Sequence, residues 1–461
     1  MPVTQKERAV HIHLVRWLAA VLVGSLLGAG VVSEHISAAE PPSDDLLKLI
    51  ADLVGDSDHQ MRAIGLQQIR REAPGEAATR SFVELLPRLR SEARAELVEA
   101  LGERGDAAAR PAVLEMARSP DETVRVAALR ALSGVGGDAD VPLLAQRIAA
   151  GSAAEQRAAA QSLVRLKGDR VNAAITTAIG SAAPHASVKL LEILTARNAK
   201  ESLPAILACA SAPDATVAQA ALDALRALAE EGQTGDLVKL LQTAEADAQR
   251  TKAEAALLAL CGRGKEKCVQ ALVAGLPNAD AGTRTVLLQA LARAGGPAAL
   301  EAVAARLDDE DQAVRDEAVR MLSLWSNRAV VPRLIEIAGG ESLRYHVLAV
   351  RGLVRLAGPE EGRAADLKLL GEAIRIAKRR DEKQLALGVL TRTANPESLA
   401  LAVSLLDDPM LAEDAGRAAA AIAGNLAPAQ QSEIRSAMRK VLERVKNSQT
   451  REQAQKILAA Q

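Results

Sequence analysis

The sequence predicts an all-α protein in which about thirteen helical hairpins follow one another as an α-solenoid. Three observations predict it. A column of large aliphatic residues recurs at a nearly constant step, a second column of small or aliphatic residues lies four places ahead of it, and prolines stand at a fixed distance upstream.

The first 40 residues differ from the rest. Lys6, Arg8 and Arg16 precede an apolar run from Trp17 to Val32, and Ser37 and Ala39 follow as small residues. A basic start, a short apolar centre and a small-x-small site make a Sec-type secretory signal peptide over residues 1–39. The alternative is an uncleaved N-terminal anchor, because about 16 apolar residues fall only slightly short of a bilayer core. No later stretch is apolar enough to span a membrane. The expectation is an exported, periplasmic or extracellular chain whose mature part is residues 40–461.

In that part the aliphatic column reads Ile69, Leu101, Leu132, Leu163, Leu194, Leu225, Leu260, Leu291, Leu322, Leu353, Leu390, Ile422 and Leu458. Seven of the twelve steps are 31 residues, and the others are 32, 35, 37, 32 and 36. A step of that size is long enough for two helices and their turns. Gly65, Leu97, Ala128, Ala159, Leu190 and their successors lie four residues earlier. Residues four apart share a helix face, and small ones let a neighbouring helix approach. Both columns are therefore core.

Within each unit the elements can be placed in order. Pro111, Pro142, Pro204 and Pro332 each lie 21 residues before the aliphatic anchor. The missing N–H of proline costs nothing in the first turn of a helix, so these prolines mark where first helices begin. Acidic turns such as SPDETV, APDATV and DDEDQAV come next. They supply caps for the second helix and complement its dipole. Seven residues before the anchor stand Arg62, Arg94, Arg125, Arg284, Arg315 and Arg451, with Lys383 in a seventh unit. One reading has these cations bond the neighbouring turn while their stems pack on the array; the other has them hold a ligand. SGVGGD, ARAGGP and RLAGPE then end second helices.

These columns and proline positions resemble HEAT repeats, in particular the short, phycobilisome-lyase-like type. The resemblance implies a right-handed superhelix and, in the main, protein binding. Some short-type members are bilin lyases, an activity for which an exported chain without evident bilin chemistry gives no support. The stretch from Arg344 to Ala423 looks like helical regions of secreted planctomycete-type proteins, where such regions sometimes accompany a sugar-active or haem-carrying domain. That leaves an accessory module of such an enzyme as the alternative reading.

Composition narrows the function. Lys plus Arg number 57 against 58 Asp plus Glu, without the basic excess that phosphate binding uses. Aromatic residues are 1%, so stacking platforms for bases are nearly absent. His59, His185 and His346 fall in different repeats, and no HxxxH, HxH or CxxC spacing occurs, which argues against a metal or other cofactor. Acid pairs such as Asp308–Asp309 and Asp407–Asp408 read as caps rather than as acid/base machinery. No nucleophile or phosphate-loop motif stands out. The sequence therefore predicts a monomeric, non-catalytic scaffold that binds a protein or peptide.

Two sites are singled out. Second helices line the concave side of HEAT-like arrays, and the residues two before each anchor drift from acidic at Glu192 and Asp223 to basic at Arg320 and Arg351. Arg344, Arg355, Lys378, Arg379 and Arg380 extend the basic part, which overlaps the 37-residue step. These cations are the candidate docking surface. Cys209, in ILACASA, reads as a buried small residue. Cys261 and Cys268 are close enough in sequence for a disulfide, with two unlinked buried thiols as the alternative.

Overall fold

The computed structural model describes residues 44–71, 75–426 and 430–460; the expected signal segment lies outside them. Among the described residues the helices fall into thirteen consecutive pairs, and the only β pairing is an isolated bridge between Glu360 and Arg363. The all-α solenoid is what the structure shows.

Each pair is built as its turn chemistry requires. Helices Arg110–Met116, Val141–Ala150, Leu203–Cys209 and Val331–Gly339 carry Pro111, Pro142, Pro204 and Pro332 at their second positions. The second helices Glu122–Val135, Ala215–Leu228 and Gln312–Ser323 are capped by Asp121, Asp214 and Asp311, whose carboxylates accept from the free amides two and three residues on. Ser152 caps Ala153–Arg165 in a reciprocal box with Glu155. Glycine ends Ser91–Arg104 and Ala281–Ala294 in the left-handed region, with φ 74° at both Gly105 and Gly295.

The fold forms two compact units, Met1–Ala109 and Arg110–Gln461. In the described part of the first, the pairs are Asp44–Gly55 with His59–Arg71, and Glu76–Val83 with Ser91–Arg104. The second holds the other eleven pairs. There the second helices pack on their own first helices and on neighbouring second helices of the unit, as Ala215–Leu228 packs on Pro184–Ala196 and Asp247–Gly264. Every aliphatic anchor from Ile69 to Ile422 is buried, and so is the residue four places ahead of each. Leu458 is only half-buried. At Gly352 an added Cβ would stand 2.9 Å from the Ser323 carbonyl oxygen of the preceding hairpin, so glycine sets the closeness of that packing.

The irregular steps have separate origins. The 35-residue step lengthens a second helix, Asp247–Gly264, to 18 residues. The 36-residue step lengthens a first helix, Gln431–Arg444, to 14. In the 37-residue step the next first helix begins 14 residues after its anchor (Leu353 to Leu367), against 9 in the hairpin before (Leu322 to Val331). Most of the added chain is thus the link around Glu360 and Arg363, before KRRDEKQ rather than within it.

Candidate functional site

The basic column seven residues before the anchor holds the array together. Arg94 Nε donates to the Leu86 carbonyl at 2.8 Å and Arg125 Nη1 to those of Ser119 and Pro120 at 2.9 and 2.8 Å. Arg62, Arg284, Arg315 and Arg451 make equivalent bonds to their own hairpin turns. Several also reach a carboxylate of the next hairpin: Arg62 pairs with Glu96, Arg125 with Glu155, Arg284 with Asp309 and Lys383 with Asp408. Burial opposes ionisation of Glu155, but bonds from Arg125 and the Ser152 amide outweigh it and hold the carboxyl below its ordinary range.

Other residue types fill the same slot. Gln156 donates to the Gly151 carbonyl at 3.0 Å, and Ser187 reaches the carbonyls of Ile179 and Ala182. His346 is fully buried, with Nδ1 2.7 Å from the Ala338 carbonyl oxygen and Nε2 3.2 Å from the Lys378 amide. Because the Lys378 N–H donates to Nε2, the ring is the neutral tautomer with its proton on Nδ1. Its fit is structural, joining one hairpin to the turn of the next.

A second arginine set escapes any single column. Arg104, Arg197 and Arg263 lie three residues after their anchors, and Arg355 two after. Each donates to carbonyls that end the preceding second helix: Arg104 to Ile69 at 2.9 Å, Arg197 to Leu163 and Leu166, Arg263 to Arg226 and Ala229, and Arg355 to Ser323 and Trp325 at 3.1 and 2.6 Å. Burial lowers the pKa values of Arg104, Arg197 and Arg355. Arg355 therefore spends its guanidinium on a helix end.

Arg320, Arg344 and Arg379 are brought together. They line an open groove of about 730 Å³ between Gln312–Ser323, Leu343–Ala357 and the turn ahead of Arg380–Leu390. Ala313, Asp316 and Glu317 on one wall correspond, 31 residues on, to Arg344, Val347 and Leu348 on the other, and Arg320 corresponds to Arg351, which lies beyond the lining residues. The groove is thus the seam between two equivalent helix faces. Leu343, 53% exposed, lies at its edge, and Leu385, 47% exposed, occupies the Leu348 position one hairpin further.

Each groove cation already has a carboxylate. Arg320 Nε bonds Glu317 at 2.8 Å, Arg344 bonds Asp316 at 2.6 Å and Arg379 bonds Asp381 at 2.7 Å. The Tyr345 hydroxyl is the strongest influence holding the Asp316 carboxyl below its ordinary range; burial opposes it, and Gln312 and Arg344 add to it. Arg380 turns to Asp414 of the following hairpin at 2.8 Å. Arg351 continues the Arg344–Leu348 stripe, is exposed, and like the Lys378 ammonium has no polar side-chain partner among the described residues.

Of the remaining residues, Asp309 accepts from Arg284 and the Asp311 amide, while Asp407 holds Lys440 and Arg444. Cys209 is half-buried, and Cys261 and Cys268 are buried free thiols. No group of His, Cys, Asp or Glu among the described residues is arranged to hold a metal ion, and no described helix is long and apolar enough to cross a membrane.

Residues 79–164 match the sequence model of HEAT repeats. No curated protein matches the chain. Among solved structures it is similar to the karyopherin Kap121p bound to the extreme C-terminus of the protein phosphatase Cdc14p, at 13% identity and TM-score 0.46 over 100% of this chain and 57% of that one. Kap121p bound to Ste12p gives 13% identity and TM-score 0.45 over 90% and 52%, and Kap121p bound to RanGTP gives 13% and 0.43 over 87% and 57%. The chain spans a little over half the length of these structures. Its fold class rests on its own hairpins.

Proposed function

We propose that the chain is a monomeric, non-catalytic, extracytoplasmic scaffold that docks a segment of a protein partner in the groove between Gln312–Ser323 and Leu343–Ala357. The observation that carries this reading is the meeting of exposed Leu343 and half-buried Val347 and Leu348 with an exposed cation that has no side-chain partner among the described residues. Leu343, Val347 and Leu348 offer apolar contact, and Arg351 extends the same stripe with a guanidinium that no carboxylate among the described residues satisfies. The occupant this favours is a peptide with an aliphatic side chain beside a carboxylate. Its apolar part would displace water from the groove, and its acid would gain a charge-assisted bond to Arg351. The extracytoplasmic setting is supported by the N-terminal pattern of basic, apolar and small residues.

Panning the purified chain against a displayed peptide library should enrich sequences that place aliphatic and acidic residues close together. Their binding should slow hydrogen exchange in the two groove helices. The double variant Leu343→Asp, Arg351→Glu should weaken binding by about tenfold or more and leave the thermal midpoint unchanged. Peptides that bind this variant as well as the parent, or protection confined to first helices, would place docking elsewhere and end the proposal.

A further inference from the structure

Cys261 lies in the last turn of Asp247–Gly264, and Cys268 closes the 3-10 turn Lys265–Cys268 that leads into the next first helix, Val269–Gly275. Both side chains are fully buried. Cys261 and Gly264 stand three residues apart on one face of the same helix, so the Cys268 sulfur seated against Gly264 lies beside Cys261. The chain between them follows a confined path. Lys265 has φ 50°, one of two positive values among the described non-glycine residues. A Cβ added at Gly264 would lie 2.6 Å from Cys268 Sγ, so the sulfur occupies space that only glycine leaves open. Packing alone does not call for sulfur here, because the corresponding positions are Arg226 and Gln233 one hairpin earlier and Ala292 and Ala299 one later.

We propose that Cys261 and Cys268 form a disulfide when the chain folds under oxidising conditions, tying the end of one hairpin to the start of the next. With glutathione disulfide as oxidant, one protein thiolate attacks a glutathione sulfur and a glutathione thiolate leaves. The second protein thiolate then attacks the protein sulfur of the mixed disulfide and releases the second glutathione. Two protein thiols give up two protons and two electrons, and glutathione disulfide becomes two molecules of glutathione. The attacking species is the thiolate, and burial, followed by the nearby Cys268, pushes the Cys261 pKa well up. Exchange is therefore slow in the folded protein and belongs to the stage at which this turn is still open to solvent. The redox state set during folding is then retained.

The test is to unfold the full chain and refold it with glutathione disulfide or with excess reduced thiol, then alkylate in denaturant and map peptides by mass. Trypsin cuts at Arg263, Lys265 and Lys267, between the two cysteines, so a disulfide would hold otherwise separate peptides together. Oxidising refolding should give this linked pair, lighter by two hydrogens, with Cys209 alkylated. Reducing refolding should leave all three cysteines alkylated. Each native product should keep its state for hours in the opposite redox buffer and lose it once denatured. Cys209→Ser should preserve the link. The linked form should melt a few degrees above the reduced one, a difference absent from Cys261→Ser, Cys268→Ser. Alkylation of both cysteines after oxidising refolding, pairing through Cys209, or an oxidised chain that does not regain its helical signal would overturn the proposal.

Discussion

At the scale of single residues, the polar side chains that tie turns and helix ends together are mostly arginines, and position decides what each does. At the start of a second helix the guanidinium reaches back to the carbonyls of its own turn; near the end it reaches the last carbonyls of the hairpin before. Both uses satisfy groups that helix termini leave without partners. Arg125→Ala removes two carbonyl bonds and leaves the buried Glu155 with the Ser152 amide and Arg147 as its remaining partners. The expected loss is about 2–4 kcal/mol, read from denaturant unfolding at pH 7. The Glu155 carboxyl is held below its unfolded value, so its contribution is present above the ordinary glutamate pKa of about 4.3 and is lost as pH falls through the folded value. The gap between parent and Arg125→Ala should therefore narrow in acid and persist in part through the carbonyl bonds. A gap independent of pH would show that the Glu155 pair contributes nothing. The first arginine set is legible in the sequence because it keeps register with the anchors. The second is hidden because its slot is shared with Val135, Leu228 and Trp325, and because Arg355 stands one place off.

At the scale of the helix, the alternation of buried and open faces follows the columns closely. Leu291 is fully buried, and Gln289 on the same helix is half-buried on the seam face. Leu291→Ala should cost about 2–5 kcal/mol, as other buried leucine truncations do, and Gln289→Ala less than about 0.5 kcal/mol. Equal losses in urea melts would mean that the faces are wrongly divided. The seam column itself is less uniform than its spacing suggests, since Leu258 and Ala420 within it are buried. The arginine cluster of the groove is legible in part. Arg320, Arg344 and Arg379 come together because corresponding faces of successive second helices adjoin. The apolar contribution of Leu343 and Leu385 was not legible, because an exposed leucine and a core leucine look alike in a periodic pattern. Nor were the internal carboxylates, since Asp316 meets Arg344 only across a hairpin boundary.

At the scale of the whole described chain, the repeat is what made the fold legible, and repetition also limits what sequence can reveal. The column steps from Leu101 to Leu132 by the usual 31 residues and gives no sign of the division between Ala109 and Arg110. Within Arg110–Gln461, every hairpin but the first and last is covered by a neighbour on both sides. Stability in such an array is close to a sum of hairpin terms and nearest-neighbour interfaces, so damage at one end should stay local. Ending the chain after Leu426 removes Gln431–Arg444 and Ser448–Ala459, which pack on Ala412–Ala423. Ile422 and Ala418, now buried, would become an uncovered end, while Leu291 would keep both of its neighbouring hairpins. Hydrogen exchange followed by mass spectrometry should then show faster exchange in Pro396–Ser404 and Ala412–Ala423, and Ala281–Ala294 as protected as in the full chain. Equal loss of protection from Glu122–Val135 through Ala412–Ala423 would instead mean that the eleven hairpins unfold as one block, and that long-range coupling rather than neighbour contact sets their stability.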